Sequence, residues 1–149
     1  MPTNPFNNCI QFSDNRTNAT FRDKKGKTKY VFPNNTRNEI SGLRIDNCLL
    51  TDDKKCDYLL LNHNENKAWA TFIELKGADL IQAVRQIDNA VNQLSSQLPN
   101  FKLHGRIVLT KTYAPNIQSS EYKKLKEKFR KIGGTFESNS MTMIEKTLD

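Results

Sequence analysis

The segment Ala68–Leu75 is apolar on both of its faces, and it limits the possible folds more than any other part of the chain. Successive residues of a strand point to opposite faces, so Trp69 and Ile73 share one face while Ala70 and Phe72 share the other. A strand of this kind is typical of the centre of a sheet that is covered on both sides. The rest of the chain must therefore supply two covering layers.

Two apolar runs precede this segment. They extend from Leu43 to Leu50 and from Cys56 to Leu61, and the polar residues 51–55 separate them. Short runs divided by turn residues predict three antiparallel strands in a meander. Residues 1–37 are rich in Asn, Thr and Lys, so we expect an irregular N-terminal arm with a short hairpin around Gly26.

Helical spacing of the apolar residues replaces the strand pattern after Gly77, which predicts an amphipathic helix over residues 78–98. A short strand is predicted from Arg106 to Thr110. The strand–helix–strand order favours a parallel crossover in the same sheet.

A second helix is predicted between a cap at Ser119 or Ser120 and the pair Gly133-Gly134, with a short strand at Thr135-Phe136 after it. The predicted fold class is α/β, with a central mixed sheet flanked by helices. We expect a single domain with its core at residues 38–136 and a C-terminal tail at 137–149.

The charge of the chain favours a polyanionic partner, because 23 Lys and Arg residues outnumber 16 Asp and Glu residues. The apolar runs are much shorter than the ~18 residues of a membrane-spanning helix. Residues 1–11 also lack the pattern of a secretory signal. We therefore expect a cytoplasmic protein without a membrane segment.

The three cysteines support the same expectation. Cys9, Cys48 and Cys56 are odd in number and lack CxxC spacing, which argues against a disulfide framework and a structural zinc site. We expect three buried thiols in a reducing compartment. His63 and His104 have no partner at metal-ligand spacing, so we expect them to be polar surface residues.

Charged residues interrupt the apolar pattern at the end of the central strand. Glu74 and Lys76 are two residues apart and point to one face, and a strand-end salt bridge is the simplest interpretation. Asp57 adds a second acid, on the run that should pair with this strand. If the register brings Asp57 beside Glu74, the two carboxylates and a backbone carbonyl such as that of Leu75 can bind Mg²⁺. Lys76 would then orient a water molecule or neutralise charge on phosphorus.

These residues, in this order, resemble the PD-(D/E)xK nuclease superfamily, which has the restriction-endonuclease-like fold. The similarity lies in Cys56 to Leu61, then Phe72 to Gly77, and in the helix, strand and helix that follow. The resemblance implies an αβββαβ core. It also implies that Asp57 and Glu74 are metal ligands and that Lys76 is the catalytic lysine.

Two further residues match positions that many members of the superfamily use. The resemblance implies that Glu39, ahead of the first core strand, is an additional catalytic acid and metal ligand. It likewise implies a supporting catalytic role for Gln86, on the helix after the lysine. The expected cofactor is Mg²⁺, for which Mn²⁺ can substitute.

A cluster of cations on the second predicted helix is suited to the phosphates of nucleic acid, although each one alone is more typical of a solvated surface. Arg85 on the first helix is a further candidate. The helix cations are Lys123, Lys124, Lys126, Lys128, Arg130 and Lys131.

The leading hypothesis from the sequence is a Mg²⁺-dependent nuclease that hydrolyses phosphodiester bonds of DNA. A single site cuts one strand at a time, so duplex cleavage would need a homodimer, a larger nucleoprotein assembly or successive nicks. Two alternatives remain open. One is a catalytically silent nucleic-acid-binding or assembly subunit of the same fold, and the other is an RNase.

Overall fold

The computed structural model describes residues 7–23, 26–50, 56–63, 68–75, 79–110 and 119–146. These residues form two sheets and two α-helices, so the coarse prediction of an α/β fold with a mixed sheet is confirmed. The main sheet has the order β1-β4-β5-β6-β7-β8, and a smaller sheet has the order β2-β3-β9.

The bounds of the elements are as follows. The main sheet comprises β1 (Ile10–Asp14), β4 (Ile40–Arg44), β5 (Tyr58–His63), β6 (Ala68–Leu75), β7 (Lys102–Leu109) and β8 (Phe136–Ser140). The smaller sheet comprises β2 (Asn18–Arg22), β3 (Lys29–Pro33) and β9 (Thr142–Ile144). The helices are α1 (Leu80–Leu94) and α2 (Ser120–Lys131), and short 3-10 turns lie at Asn7–Cys9 and Ser95–Gln97.

Strand β6 is central, as its sequence predicts. All eight of its residues are buried, and it pairs antiparallel with β5 and parallel with β7. The predicted meander also forms, because β4 pairs antiparallel with β5. Strand β7 lies parallel to β6 and starts earlier than predicted, at Lys102.

Two layers cover the main sheet. Phe72 of β6 faces the helices and belongs to one core with Ile87 of α1 and Phe129 of α2. Ile73 points the other way and belongs to a second core with Phe21 of β2 and Tyr30 of β3. This alternation explains why β6 has no polar face.

Both helices begin at side-chain caps. The Asp79 carboxylate accepts a hydrogen bond from the Gln82 N–H at 2.9 Å, and the Ser119 hydroxyl accepts one from the Tyr122 N–H at 3.2 Å. Helix α1 ends at Leu94, earlier than predicted, because the chain tightens into the 3-10 turn Ser95–Gln97 before Pro99. Neither described helix is long and apolar enough to cross a membrane.

The prediction of a hairpin around Gly26 is confirmed, because β2 and β3 pair antiparallel on either side of it. The predictions that the rest of the arm is irregular and that the C-terminal segment is a tail are wrong where the structure describes them. The supposed irregular arm of residues 1–37 contains β1 and the β2–β3 hairpin, and the supposed tail contains most of β8 and all of β9. In the hairpin, Ala19, Phe21, Tyr30 and Phe32 are buried while the residues between them are more exposed. A strand with one buried face needs apolar residues only at alternate positions, so its composition looks polar.

The N-terminal strands also change the predicted αβββαβ order. In the described residues before β4, three strands occur where that order requires an α-helix. Strand β4 itself ends at Arg44, and residues 45–50 form a turn in which Asn47 has a positive φ of 60°. Of the predicted first run, Leu43 to Leu50, only Leu43 and Arg44 therefore belong to β4.

The prediction of three free thiols is wrong for two of the cysteines. Cys9 and Cys48 form a disulfide, because β1 pairs with β4 and this brings Cys9 next to the turn after β4. Only Cys56 is a free, buried thiol. The cysteines therefore give no support to a reducing compartment.

A buried polar network joins β7 to the C-terminal segment. The Arg106 guanidinium is fully buried and donates to the Glu145 carboxylate at 2.7 Å and to the Thr135 hydroxyl at 2.8 Å. The Tyr30 hydroxyl donates to the same Glu145 oxygen at 2.7 Å. A buried charge is costly unless it is paired and hydrogen-bonded, and this network meets both conditions.

The prediction that the histidines lie on the surface is wrong, because both side chains are buried. The Nε2 atom of His63 lies 3.1 Å from the Ser41 hydroxyl. The Nδ1 atom of His104 accepts a hydrogen bond from the Thr135 N–H at 3.0 Å. Burial, with smaller contributions from Arg106 and Lys102, lowers the pKa of His104 to about 3.

We expect His104 to make folding stability depend on pH. Below its ordinary pKa of about 6.5 the unfolded chain binds a proton that the folded chain does not bind until about pH 3, so acid favours unfolding. The unfolding free energy should fall with decreasing pH below about 6.5, with a slope approaching 1.4 kcal/mol per pH unit. Urea denaturation between pH 7.5 and 5 measures this slope.

The variant His104→Gln isolates this effect, because an amide oxygen can accept the Thr135 N–H without titrating. Its unfolding free energy should depend less on pH over the same range. Equal slopes for the variant and the parent would contradict a depressed pKa at His104.

Candidate metal and phosphate site

The two acids that the sequence singles out meet where β5 begins and β6 ends. The antiparallel ladder ends at the pair Tyr58 and Ile73, which are the residues next to Asp57 and Glu74 in the chain. The two acids therefore lie at the same end of the two strands, just beyond the last pair of the ladder. Whether they bind a metal together stays a prediction.

Hydrogen bonds fix Asp57 against the end of β6. Its N–H donates to the Ile73 carbonyl at 3.1 Å, and its Oδ2 atom accepts from the Leu75 N–H at 2.9 Å. The Asp57 carbonyl in turn accepts from the Ile45 N–H at 3.0 Å. These bonds tie Asp57 to both neighbouring strands, so its carboxylate is held on a rigid part of the sheet.

The buried thiol of Cys56 lies close to both acids. Burial raises its pKa well above the ordinary value, and the charges of Glu74 and then Asp57 raise it further. Two carboxylates that act on one thiol define a small region of negative potential. A region of this kind favours a cation.

An open cavity of about 430 Å³ reaches Asp57 from the face that carries the smaller sheet. Two further acids, Asp23 and Asp46, line it together with the cations Arg22 and Arg44. Acids beside arginines can hold a metal ion and a phosphate side by side.

The other residues that line this cavity have no predicted function from the sequence. Arg44 pairs with Tyr58 in the sheet, so a correct register for β4 would have placed it one position from Asp57. Arg22 and Asp23 come from the supposed arm. No local motif marks them, because only the tertiary packing of β2 brings them to Asp57.

Glu74 has a different environment from Asp57. Its side chain is 1% exposed. Glu74 is two residues after Phe72 in β6, so its side chain points to the same face as Phe72, which is the face covered by α1. It is not among the described residues that line the cavity at Asp57. In the described parts of the chain, no group of three or more His, Cys, Asp and Glu side chains could hold a metal ion.

The remaining predicted ligands lie in different places. Leu75 is at the site, and its N–H group contacts Asp57. Lys76 lies outside the described residues, so its catalytic role stays a prediction from the sequence.

The structure does not bring Glu39 to this site. The Glu39 carbonyl accepts a hydrogen bond from the His63 N–H, at the opposite end of β5 from Asp57. Six residues of strand separate His63 from Asp57, which corresponds to about 20 Å. Glu39 cannot share a metal ion with Asp57 in this fold. The expectation that Glu39 is a ligand fails because the start of β4 lies at the end of the sheet opposite to Asp57.

Gln86 lies on the buried face of α1, which packs on β6 and β7. Its side chain is 8% exposed, and its amide oxygen has no hydrogen-bond partner among the described residues. An amide in an apolar interface is costly without such a partner. Its supporting role stays a prediction.

Several predicted phosphate-binding cations are engaged in ion pairs within the chain. Arg85 pairs with Glu121 at 2.8 Å, and Lys128 pairs with Asp88 at 2.6 Å. Arg130 pairs with Glu127. The exposed cations of α2 without an ion pair in the described structure are Lys123, Lys124, Lys126 and Lys131.

Comparison of the chain with protein-family models found no match, and comparisons with curated proteins and with solved structures also found none. The resemblance to PD-(D/E)xK nucleases therefore rests on the residues and the topology of this chain alone.

We expect the site to contain one thiol that reacts only after unfolding. A thiol must ionise to react, and burial and the neighbouring acids oppose ionisation of Cys56. Of the three cysteines, two form the disulfide. Titration with a chromogenic disulfide reagent at pH 8, without reductant, should detect no thiol in the folded protein and one in guanidinium chloride.

The variant Cys56→Ser should give no signal in either state. Three thiols in the unfolded parent would contradict the disulfide between Cys9 and Cys48. Rapid reaction of the folded parent would contradict the burial of Cys56.

Proposed function

We propose that this chain is a Mg²⁺-dependent nuclease of the PD-(D/E)xK type that hydrolyses phosphodiester bonds of DNA. The observation that carries the proposal is the β5–β6 ladder, whose last pair, Tyr58 and Ile73, brings Asp57 and Glu74 to the same end of the two strands. Two carboxylates at the same end of neighbouring strands are a donor set suited to a hard divalent cation.

The topology around this site supports the proposal. Strands β4, β5 and β6 are antiparallel neighbours, α1 follows β6, and β7 returns parallel to β6. This βββαβ arrangement is the part of the restriction-endonuclease-like core that carries the site residues. The N-terminal strands β1–β3 replace the first helix of that core.

The donor chemistry at the site fits Mg²⁺, which prefers carboxylate and carbonyl oxygens. Asp57 and Glu74 would hold the ion, with the carbonyl of Leu75 as a third protein ligand. When bound, Mg²⁺ stabilises negative charge that develops on the phosphate oxygens and lowers the pKa of a bound water molecule.

The chain's own residues would position the reactants. The hydrogen bond from the Leu75 N–H orients the Asp57 carboxylate. Arg22 and Arg44 line the cavity next to Asp57 and are suited to bind the phosphate. Lys76 would orient the attacking water molecule, as the sequence motif predicts.

Helix α2 supplies the surface on which the nucleic-acid backbone would dock. Its buried residues Leu125 and Phe129 belong to the core that includes Phe72, so α2 covers the same face of the main sheet that carries Glu74. The exposed lysines of α2 point away from this core. They would contribute the salt-dependent part of binding.

A catalytically silent nucleic-acid-binding subunit of the same fold is the second candidate function. The burial of Glu74 favours it, because a side chain that is 1% exposed must be uncovered before it can bind a metal ion from solution. The same docking surface would serve this function without turnover. An RNase would use the same residues.

The first test is cleavage of plasmid, linear and single-stranded DNA and of matched RNA, with Mg²⁺ or Mn²⁺. We expect DNA cleavage that Asp57→Asn, Glu74→Gln and Lys76→Ala each reduce by at least 100-fold, because each removes a metal ligand or the group that assists the water molecule. Gel electrophoresis of labelled substrates measures the rates.

Glu39→Gln is the matched control, since it removes a similar acid about 20 Å from Asp57 along β5. Its rate should equal that of the parent. If the three site variants cut as fast as Glu39→Gln, the nuclease assignment is wrong. Faster cleavage of RNA than of DNA would favour the RNase, and binding without cleavage would favour the silent subunit.

The second test is the salt dependence of DNA binding. The double variant Lys123→Gln/Lys126→Gln should bind DNA more weakly, and the slope of log K against log salt should become shallower by about 0.9 for each lost phosphate contact. Fluorescence anisotropy at several salt concentrations measures this slope.

The double variant Lys27→Gln/Lys29→Gln provides the comparison, because it removes the same charge on the side of the β2–β3 hairpin. We expect a smaller change in slope for this variant. If only the hairpin variant changes the slope, α2 is not the docking surface.

A further inference from the structure

A cavity of about 360 Å³ lies at the other end of β5 and β6 from the acid pair. Asn62 and Trp69 line it from the two strands, Asn34 lines it from the turn after β3, and Glu145 and Lys146 line it from the segment after β9. Its volume is in the range of sites for small organic ligands, about 300–1,000 Å³.

Three residues that line this cavity each have a buried polar side-chain atom without a hydrogen-bond partner among the described residues. These atoms are the side-chain oxygens of Asn34 and Asn62 and the indole N–H of Trp69. All three side chains are more than nine-tenths buried, at 1%, 4% and 8% exposure respectively. A buried polar group without a partner is costly, and three at one cavity indicate a place for a ligand.

Hydrogen bonds and strand pairing define where these three residues lie. The Asn34 amide nitrogen donates to the carbonyls of Arg16 at 2.9 Å and Asn38 at 2.7 Å. These two bonds distinguish the amide nitrogen from the amide oxygen, which remains available as an acceptor. Asn62 and Trp69 are directly paired across β5 and β6. Their side chains therefore lie on the same face of the sheet.

These three unpartnered groups are two acceptors and one donor, and a complementary ligand presents two donors and one acceptor. The Watson–Crick edge of guanine has this pattern, with N1–H and the N2 amino group as donors and O6 as acceptor. Adenine, cytosine and uracil lack the second donor group. Phe32 and Pro33 add apolar surface for a flat ring.

We propose that this cavity binds a guanine base, with the Trp69 indole N–H donating to O6 and the Asn34 and Asn62 oxygens accepting from N1–H and the N2 amino group. Side-chain rotations that expose these atoms to the cavity are part of the proposal. Lys146 is exposed at the cavity and is suited to a phosphate attached to the base. The base can come from a free guanine nucleotide or from single-stranded nucleic acid.

This site is separate from the acid pair. Trp69 and Glu74 lie on opposite faces of β6, and five residues separate them along the strand, which corresponds to about 17 Å. Base binding therefore does not depend on the proposed nuclease function. Glu74→Gln should leave guanosine binding unchanged, so the two proposals can fail independently.

The intrinsic fluorescence of the full chain provides a direct test, because Trp69 is the only tryptophan. Guanosine should change the Trp69 emission in a saturable way. Inosine, which lacks the N2 amino group, should bind about tenfold more weakly. Adenosine, cytidine and uridine should bind at least tenfold more weakly than guanosine.

Calorimetry of variants tests the assigned groups. Trp69→Phe keeps an aromatic ring and loses the N–H donor, and Asn62→Leu loses the amide at similar volume. Each should weaken guanosine binding about tenfold. Asn18→Ala is the matched control, since Asn18 is exposed on β2, and it should bind like the parent. Circular dichroism identifies variants that do not fold.

The outcomes separate the possibilities. Tighter binding of a single-stranded oligonucleotide with one guanine than of guanosine supports the proposal and identifies nucleic acid as the source. Equal binding of the two supports it and identifies the free nucleoside. Absence of guanosine binding, equal binding of all four nucleosides, or unchanged binding by folded Trp69→Phe and Asn62→Leu would overturn it.

Discussion

The burial of β6 on both faces is the constraint on which the rest of the structure depends. One face requires α1 and α2, and the other requires the β2–β3–β9 sheet, so every described element packs directly or indirectly around this strand. The same burial fixes the antiparallel register with β5, because a slip of one residue would move every side chain to the wrong face. That register brings Asp57 and Glu74 to the same end of the two strands.

The parts of the fold that the sequence predicts well are those with an unbroken pattern. Ala68–Leu75 has the predicted bounds, and α2 begins at its predicted cap. The N-terminal strands show only alternate apolar residues, and their burial depends on β6, which lies far along the chain. The disulfide between Cys9 and Cys48 is hidden for the same reason, since it depends on the pairing of β1 with β4.

The residues of the candidate site also differ in how well the sequence predicts their positions. The sequence predicts that Asp57 and Glu74 lie at the same end of the sheet, because a short connection joins their two antiparallel strands. The prediction for Glu39 fails because β4 runs antiparallel to β5, so the residue before β4 lies at the far end of the sheet. Arg22 and Arg44 join the cavity at Asp57 only through tertiary packing. The cavity at Trp69 likewise combines segments that no motif links. The two acids can therefore be recognised from local sequence patterns, whereas the residues around them are known only from the packing of the sheets.

The most direct test of the proposed metal site is a crystal of the full chain soaked in Mn²⁺, with anomalous diffraction recorded at the manganese edge. The proposal predicts one strong anomalous peak in contact with carboxylate oxygens of both Asp57 and Glu74, and the loss of that peak in Asp57→Asn. A peak held only by Asp23 and Asp46, or no peak in the parent crystal, would contradict it.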